Sequence, residues 1–338
     1  MFSKYNISHR KNLHPVKKIH KCDGRVHVKI VRPAIKYKKK KEMEEVFVKK
    51  SKIYPWYFAA GALLIYTALS VVPGIIGIGY SFTDWSAYSS ELHFVGLQNF
   101  IDVFSGDQDY LQYILNTLLF TVVTTVAKTG LGLLFALALS RNIKAKNFHR
   151  GVMYMPSVLS ILIIGLVFTS ILNPKNGLLN EGLRLVGLDA FTQKWLTDPQ
   201  IAFWSVMGVD IWRGTGYIMT ILIVGILAIP NVYYEAAGID GANGFHKFVY
   251  VTLPMLKQTL AVTIVLNVLY GLKVFDMVYA LTNGGPGHRT EVMYTAVFKQ
   301  FSQGLYAAGT TISSVMFIFM VIVGFFMIKI LTKDEVIE

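Results

Sequence analysis

Cysteine is almost missing from this sequence: Cys22 is the single one in 338 residues. That excludes an intramolecular disulfide and any zinc site built on cysteine pairs. Charge is scarce as well, at 16% of residues against 53% hydrophobic, with a positive mean hydropathy. A soluble domain carries about 25% charged residues, so the deficit points to long apolar stretches that face lipid. No G-x-x-x-x-G-K-[ST] loop occurs, so the chain has no such loop to hold ATP phosphates. Neither HExxH nor a paired-carboxylate cluster is present, which argues against a membrane-embedded enzyme. His9, His14, His20 and His27 are too irregularly spaced to make a metal site. A secretory signal is not expected either, because the first apolar run begins near Tyr54 and is too long for one.

The net charge of +13 is concentrated at one end. Residues 1–52 hold 17 of the 33 Lys and Arg but only 4 of the 20 Asp and Glu, so the remainder is neutral. A basic groove for nucleic acid is therefore excluded. The tail, 1–53, reads as a solvated and disordered cytoplasmic arm; attraction to anionic membrane lipid and a true start at Met43 are the other readings. Residues 54–332 form the body and 333–338 a cytoplasmic end.

Six segments are long and apolar enough to cross a hydrocarbon layer of about 30 Å. They lie near 55–82, 113–139, 149–172, 201–229, 257–281 and 307–331, and at that length they must be helices. The fold class is thus an all-α membrane protein of six transmembrane helices. Loop 83–112 has no Lys or Arg, whereas Arg141, Lys144 and Lys146 follow the second span. With the basic tail, this asymmetry places both termini in the cytoplasm.

The loop between spans four and five is the most informative segment. It reads Glu235-Ala236-Ala237, three residues beginning with Gly238, then Gly241, nine residues, and Val251-Thr252-Leu253-Pro254. Pro230 should end the preceding span. Tyr233 to Gly238 can form a short helix with Glu235 in its first turn, where the helix dipole favours an acid. Gly241 permits a sharp reversal, and Pro254 opens the fifth span.

This spacing resembles the EAA loop of permeases in ATP-binding-cassette (ABC) importers, with Val251 in place of the usual isoleucine. Other segments resemble the carbohydrate-uptake branch, of the maltose, lactose or glycerol-phosphate type. They are Tyr80 to Trp85, Phe94 to Phe100, Asn116-Thr117, Trp212 to Gly216, Phe275 to Tyr279, Leu281 to Gly287 and Thr290-Glu291. The resemblance covers roughly residues 55–331. It implies a bacterial plasma-membrane permease that imports a sugar or similar solute, with Glu235, Ala236, Ala237, Gly238, Gly241, Leu253 and Pro254 in a coupling helix. It implies as partners a second homologous permease, an ABC ATPase dimer that binds ATP and Mg, and an extracytoplasmic solute-binding protein. No cofactor belongs to this chain.

Transport sites favour the bilayer midplane, and charged residues within a span suggest function. The candidate pathway residues are Trp212, Arg213, Tyr217, Asn267, Tyr270, Asp276 and Tyr279. Gly214 and Gly216 could loosen span four, and Asp210 and Arg213 could pair with each other at i, i+3 or with neighbouring helices, purely as structure. The alternative reading is an ion-coupled secondary transporter with Asp210 as the ionisable group, but such a protein has no use for an EAA loop.

Overall fold

The computed structural model describes residues 57–105, 110–141 and 143–331, together with two short strands near the N-terminus. The chain divides into two compact units, Met1–Val72 and Pro73–Glu338. In the first unit β1 (Lys17–Cys22) pairs antiparallel with β2 (Arg25–Ile30), Lys17 opposite Ile30. The tail was expected to lack regular structure. Asp23-Gly24 between two alternating runs favours a hairpin connection, a signal hidden by the charge density. The rest of the expected tail, and residues 333–338, lie outside the described residues.

Four helices are long and apolar enough to cross a membrane: α1 (Tyr57–Tyr80), α3 (Tyr110–Ser140), α7 (Ala202–Leu227) and α13 (Tyr306–Leu331). The unit boundary falls within α1. At about 1.5 Å per residue, the 31 residues of α3 extend well past a hydrocarbon core. The short α2 (Gln98–Phe104) precedes α3.

Spans three and five are not the straight helices that the sequence suggested. Span three is α4 (Lys146–Val158) followed by α5 (Ile161–Ile171), bent by 95°. Pro156 removes one backbone donor inside α4, and Leu159 and Ser160 take extended conformations, with ψ of 143° and 135°. Span five is α9 (Gly244–Met255) followed by α10 (Lys257–Leu272), bent by 66°. Pro254 therefore lies before the bend in α9 instead of opening the span. The continuous helix stops at Leu272, and α11 (Asp276–Leu281) is a separate short helix. Each bent pair can count as one span, which gives four to six membrane helices.

Within the second unit α7 packs chiefly against α3, and α10 and α4 flank that pair. Small residues set the close approaches, as membrane helices require. A Cβ at Gly216 would fall on the carbonyl oxygen of Met153 in α4, and one at Gly271 would come within 2.8 Å of the Thr121 Cα in α3. One apolar cluster joins Phe120, Phe203, Val206, Met207, Met277 and Val278; another joins Ala136, Ile218, Met219, Leu222 and Leu256.

Two of the loops are built structures. Segment 173–200 contains α6 (Leu178–Leu185), held by the buried Asn180. Its amide donates to the Pro174 and Gln193 carbonyls and accepts from the Trp195 indole N–H. After α11, Glu291 is buried and bonded to Lys299 Nζ at 2.8 Å and to His288. Asn116 Nδ2 donates to the carbonyls of Arg289 and Glu291, and Thr117 accepts from the Met293 N–H at the start of α12 (Met293–Ser302). Segments singled out separately in the sequence therefore meet in space. The same holds for the first loop, where Asn99 donates to the carbonyls of Ser81 and Thr83.

Candidate functional site

The expected coupling residues sit on α8 (Asn231–Ile239) and its exit. Pro230, extended at ψ 135°, ends the preceding chain and caps α8. The helix starts two residues earlier than expected, so Glu235 lies beyond the first turn and cannot owe its place to the helix dipole. No residue of α8 is buried. Glu235 and Ala236 are exposed, and so are the apolar Val232, Tyr233 and Ile239. The helix thus stands clear of the core of its own chain.

The end of α8 explains the spacing of Gly241. The Ala242 N–H bonds the Ala237 carbonyl at 2.8 Å, and the Gly241 N–H bonds the Gly238 carbonyl at 3.1 Å. Gly241 takes φ +78°. This is the Schellman arrangement, in which a left-handed residue after the helix satisfies its last carbonyls. Space is not the constraint, since nothing lies within 4 Å of a Cβ there. Asn243 then caps α9 by accepting the His246 N–H at 2.9 Å. The Tyr234 hydroxyl meets Thr252 Oγ1 at 3.0 Å, and Lys247 lies over Gly238. These contacts tie α8 to α9, on which Leu253 and Pro254 stand just before the bend.

The pathway residues divide into two groups. Arg213, Tyr217, Asn267 and Tyr270 line one cleft of about 270 Å³, together with Lys128, Ser157 and Gly214. Trp212 is beside it on α7 and packs against Phe168 at 5.1 Å between ring centres. Asp276 and Tyr279 are elsewhere. Asp276 is exposed at the start of α11 instead of within a span, and Tyr279 stacks on Phe275.

Of the two pairings open to Asp210, with Arg213 or with a neighbouring helix, the second is the one formed. Asp210 is fully buried and pairs with Lys128 of α3 at 2.5 Å, and Tyr270 of α10 donates to its other oxygen at 2.8 Å. The Lys128 ammonium also stands 4.5 Å from the centre of the Tyr270 ring. Arg213 Nε is buried with no hydrogen-bond partner among the described residues. Nor do Gly214 and Gly216 loosen α7, which runs unbroken through both; they admit Lys128 and Met153 against it. Lys128 was missed by sequence reasoning, although a lysine near the middle of an apolar span was a sufficient signal.

A helical membrane body, an exposed apolar helix between two spans and a polar cleft at mid-helix depth define a membrane transport subunit. Residues 128–334 match the family of binding-protein-dependent transport system inner membrane components. A probable ABC transporter permease protein (YurN) of Bacillus subtilis is 35% identical over 80% of this chain and 93% of its own length. A trehalose/maltose transport system permease protein (MalF) of Thermococcus litoralis is 33% identical over 76% of this chain and 88% of its own. A permease chain in the crystal structure of a bacterial alginate ABC transporter, in complex with an alginate pentasaccharide-bound periplasmic protein, has the same fold. Its TM-score is 0.70 at 23% identity, over 80% of this chain and 92% of that one. The chain belongs to the binding-protein-dependent inner membrane component family: it is an ABC-importer permease, not an enzyme, and ATP hydrolysis is the work of a separate subunit.

Proposed function

We propose that the chain is a six-span permease that imports a sugar or oligosaccharide, with α8 as its coupling helix. The observation that carries this reading is α8 itself: exposed, apolar, ended by a Schellman turn at Gly241 and bonded to the α9 segment that enters span five. A cytoplasmic ABC ATPase dimer, holding ATP and Mg, would grip α8 and move the spans as rigid bodies. A second homologous permease completes the pathway, and an extracytoplasmic solute-binding protein delivers the cargo. Both termini are cytoplasmic, in a bacterial plasma membrane.

A sugar cargo is supported by the relative's trehalose/maltose transport and by the makeup of the cleft. Tyr217 and Tyr270 offer ring faces, while Asn267, Ser157 and Arg213 offer hydrogen bonds suited to hydroxyls. The bends in spans three and five fit a pathway too, because non-helical backbone at membrane depth needs protein or water beside it. No observation favours the ion-coupled alternative: Asp210 is consumed by Lys128 and Tyr270.

The test is ATPase activity and uptake of the complex in proteoliposomes, wild type against Glu235→Lys. We expect binding protein and cargo to stimulate the wild type, and the variant to lose stimulation or ATPase association. Uptake without any ATPase, or an unaffected variant, would refute the reading.

A further inference from the structure

The ion pair between Lys128 and Asp210 joins α3 to α7, and the Tyr270 hydroxyl adds α10 to the same carboxylate. The ion pair is out of water, with Lys128 3% exposed and Asp210 0%, while Tyr270 is half-buried. The fit is specific. A Cβ at Gly214 would lie 2.7 Å from Lys128 Cε and 3.0 Å from its Nζ, so the lysine stem occupies the notch this glycine leaves. Tyr270 is gripped from two sides, its hydroxyl by Asp210 and its ring by the Lys128 ammonium. Its remaining surface lines the cleft with Asn267, Tyr217 and Arg213.

Stability does not account for this arrangement. A buried ion pair seldom outperforms well-packed apolar residues of the same volume, whereas removing one partner alone is costly. Asp210 Oδ2 meets Lys128 as an ion pair and makes no hydrogen bond among the described residues, yet a buried network tied at several points still restricts the orientation of its members.

We propose that Lys128 and Asp210, seated by Gly214, are positioning residues for cargo recognition. They hold Tyr270 at one place on the cleft wall, with its hydroxyl engaged and its ring left for the apolar face of a sugar. The proposal rests on reading the cleft as the cargo path. It goes beyond that reading by giving the ion pair a role in affinity and not in packing.

The experiment replaces both charges at once with Lys128→Met/Asp210→Leu, so that no buried charge is left unpaired. Two readouts are taken on the assembled importer. One is the KM for uptake of radiolabelled maltose and trehalose; the other is the 19F spectrum of 3-fluorotyrosine placed at position 270, which needs no cargo. We expect the double variant to assemble and to melt like the wild type. Its KM should rise at least about tenfold, and the sharp 19F signal should become broad or multiple. Gly214→Ala, which keeps every polar group, should shift both readouts in the same direction by less. A double variant with the wild-type KM and one sharp signal overturns the proposal, and the 19F signal decides alone if neither sugar is taken up. Tyr270→Ala separates the two ideas: an unchanged KM in that variant removes the cleft as cargo path, and the 19F result still judges the clamp.

Discussion

At the scale of single residues, the backbone conformation at Gly241 offers the most direct test of the proposed coupling helix. Its φ of +78° costs a residue with a β-carbon about 1–2 kcal/mol, and both Schellman hydrogen bonds depend on that conformation. Gly241→Ala should leave the membrane body intact, because no core residue touches the position. It should weaken retention of the ATPase, measured by co-purification, while the melting temperature of the isolated permease hardly moves. Asn180 predicts the opposite pattern. Asn180→Leu leaves the Pro174 and Gln193 carbonyls and the Trp195 indole without their partner, at roughly 1–3 kcal/mol for each buried group orphaned. The expected result is a lower melting temperature in detergent, with ATPase binding preserved. A change in ATPase binding for Asn180→Leu would place segment 173–200 nearer the coupling surface than the geometry allows.

At the scale of elements, the determining features are close approaches and bends. Gly216 lets the α4 backbone press directly on α7, and Ser157 of α4 adds a hydrogen bond to the Arg213 carbonyl at 2.7 Å. Gly216→Val must push α4 away, and with it one wall of the cleft. We expect poor assembly with the partner subunits and a collapse of uptake, read by size-exclusion chromatography and transport. Gly208, on the same helix with no neighbour within 4 Å, should accept alanine without loss of assembly. Equal effects at both glycines would mean that helix propensity, not approach distance, governs α7. The bend in span three was only half legible beforehand: Pro156 was visible, but proline in a membrane helix can be accommodated without a 95° turn.

At the scale of the whole molecule, orientation is the statement most open to direct test. The single Cys22 makes a cysteine-free background simple to prepare. In it, Asp240→Cys beside α8 should react with an impermeant maleimide only in inverted vesicles. Asp189→Cys, in the segment after span three, should react only from the outer side. The reverse pattern would turn the molecule over and remove α8 from the ATPase.

Much of this protein follows from sequence alone, for reasons that need no tertiary information. The burial of backbone in lipid forces apolar runs of about 20 residues to be helical, so the helical membrane character of the chain could be read directly. In the Glu235–Pro254 loop the turns at Pro230 and Gly241 were legible because local backbone geometry fixes them, whereas the first-turn place expected for Glu235 and the opening place expected for Pro254 were not. What tertiary structure decided is everything that depends on partners distant in the chain. Lys128, Asp210 and Tyr270 are up to 142 residues apart, and only the packing of α3, α7 and α10 brings them together. The i, i+3 spacing of Asp210 and Arg213 left open a pair with each other or with a neighbouring helix, because side-chain direction on a helix permits a contact but cannot rank it against one from a neighbouring helix. The same limit explains Asp276, whose place depended on where span five breaks. A buried carboxylate takes the cation that packing delivers to it, and packing is the property that one-dimensional spacing does not contain.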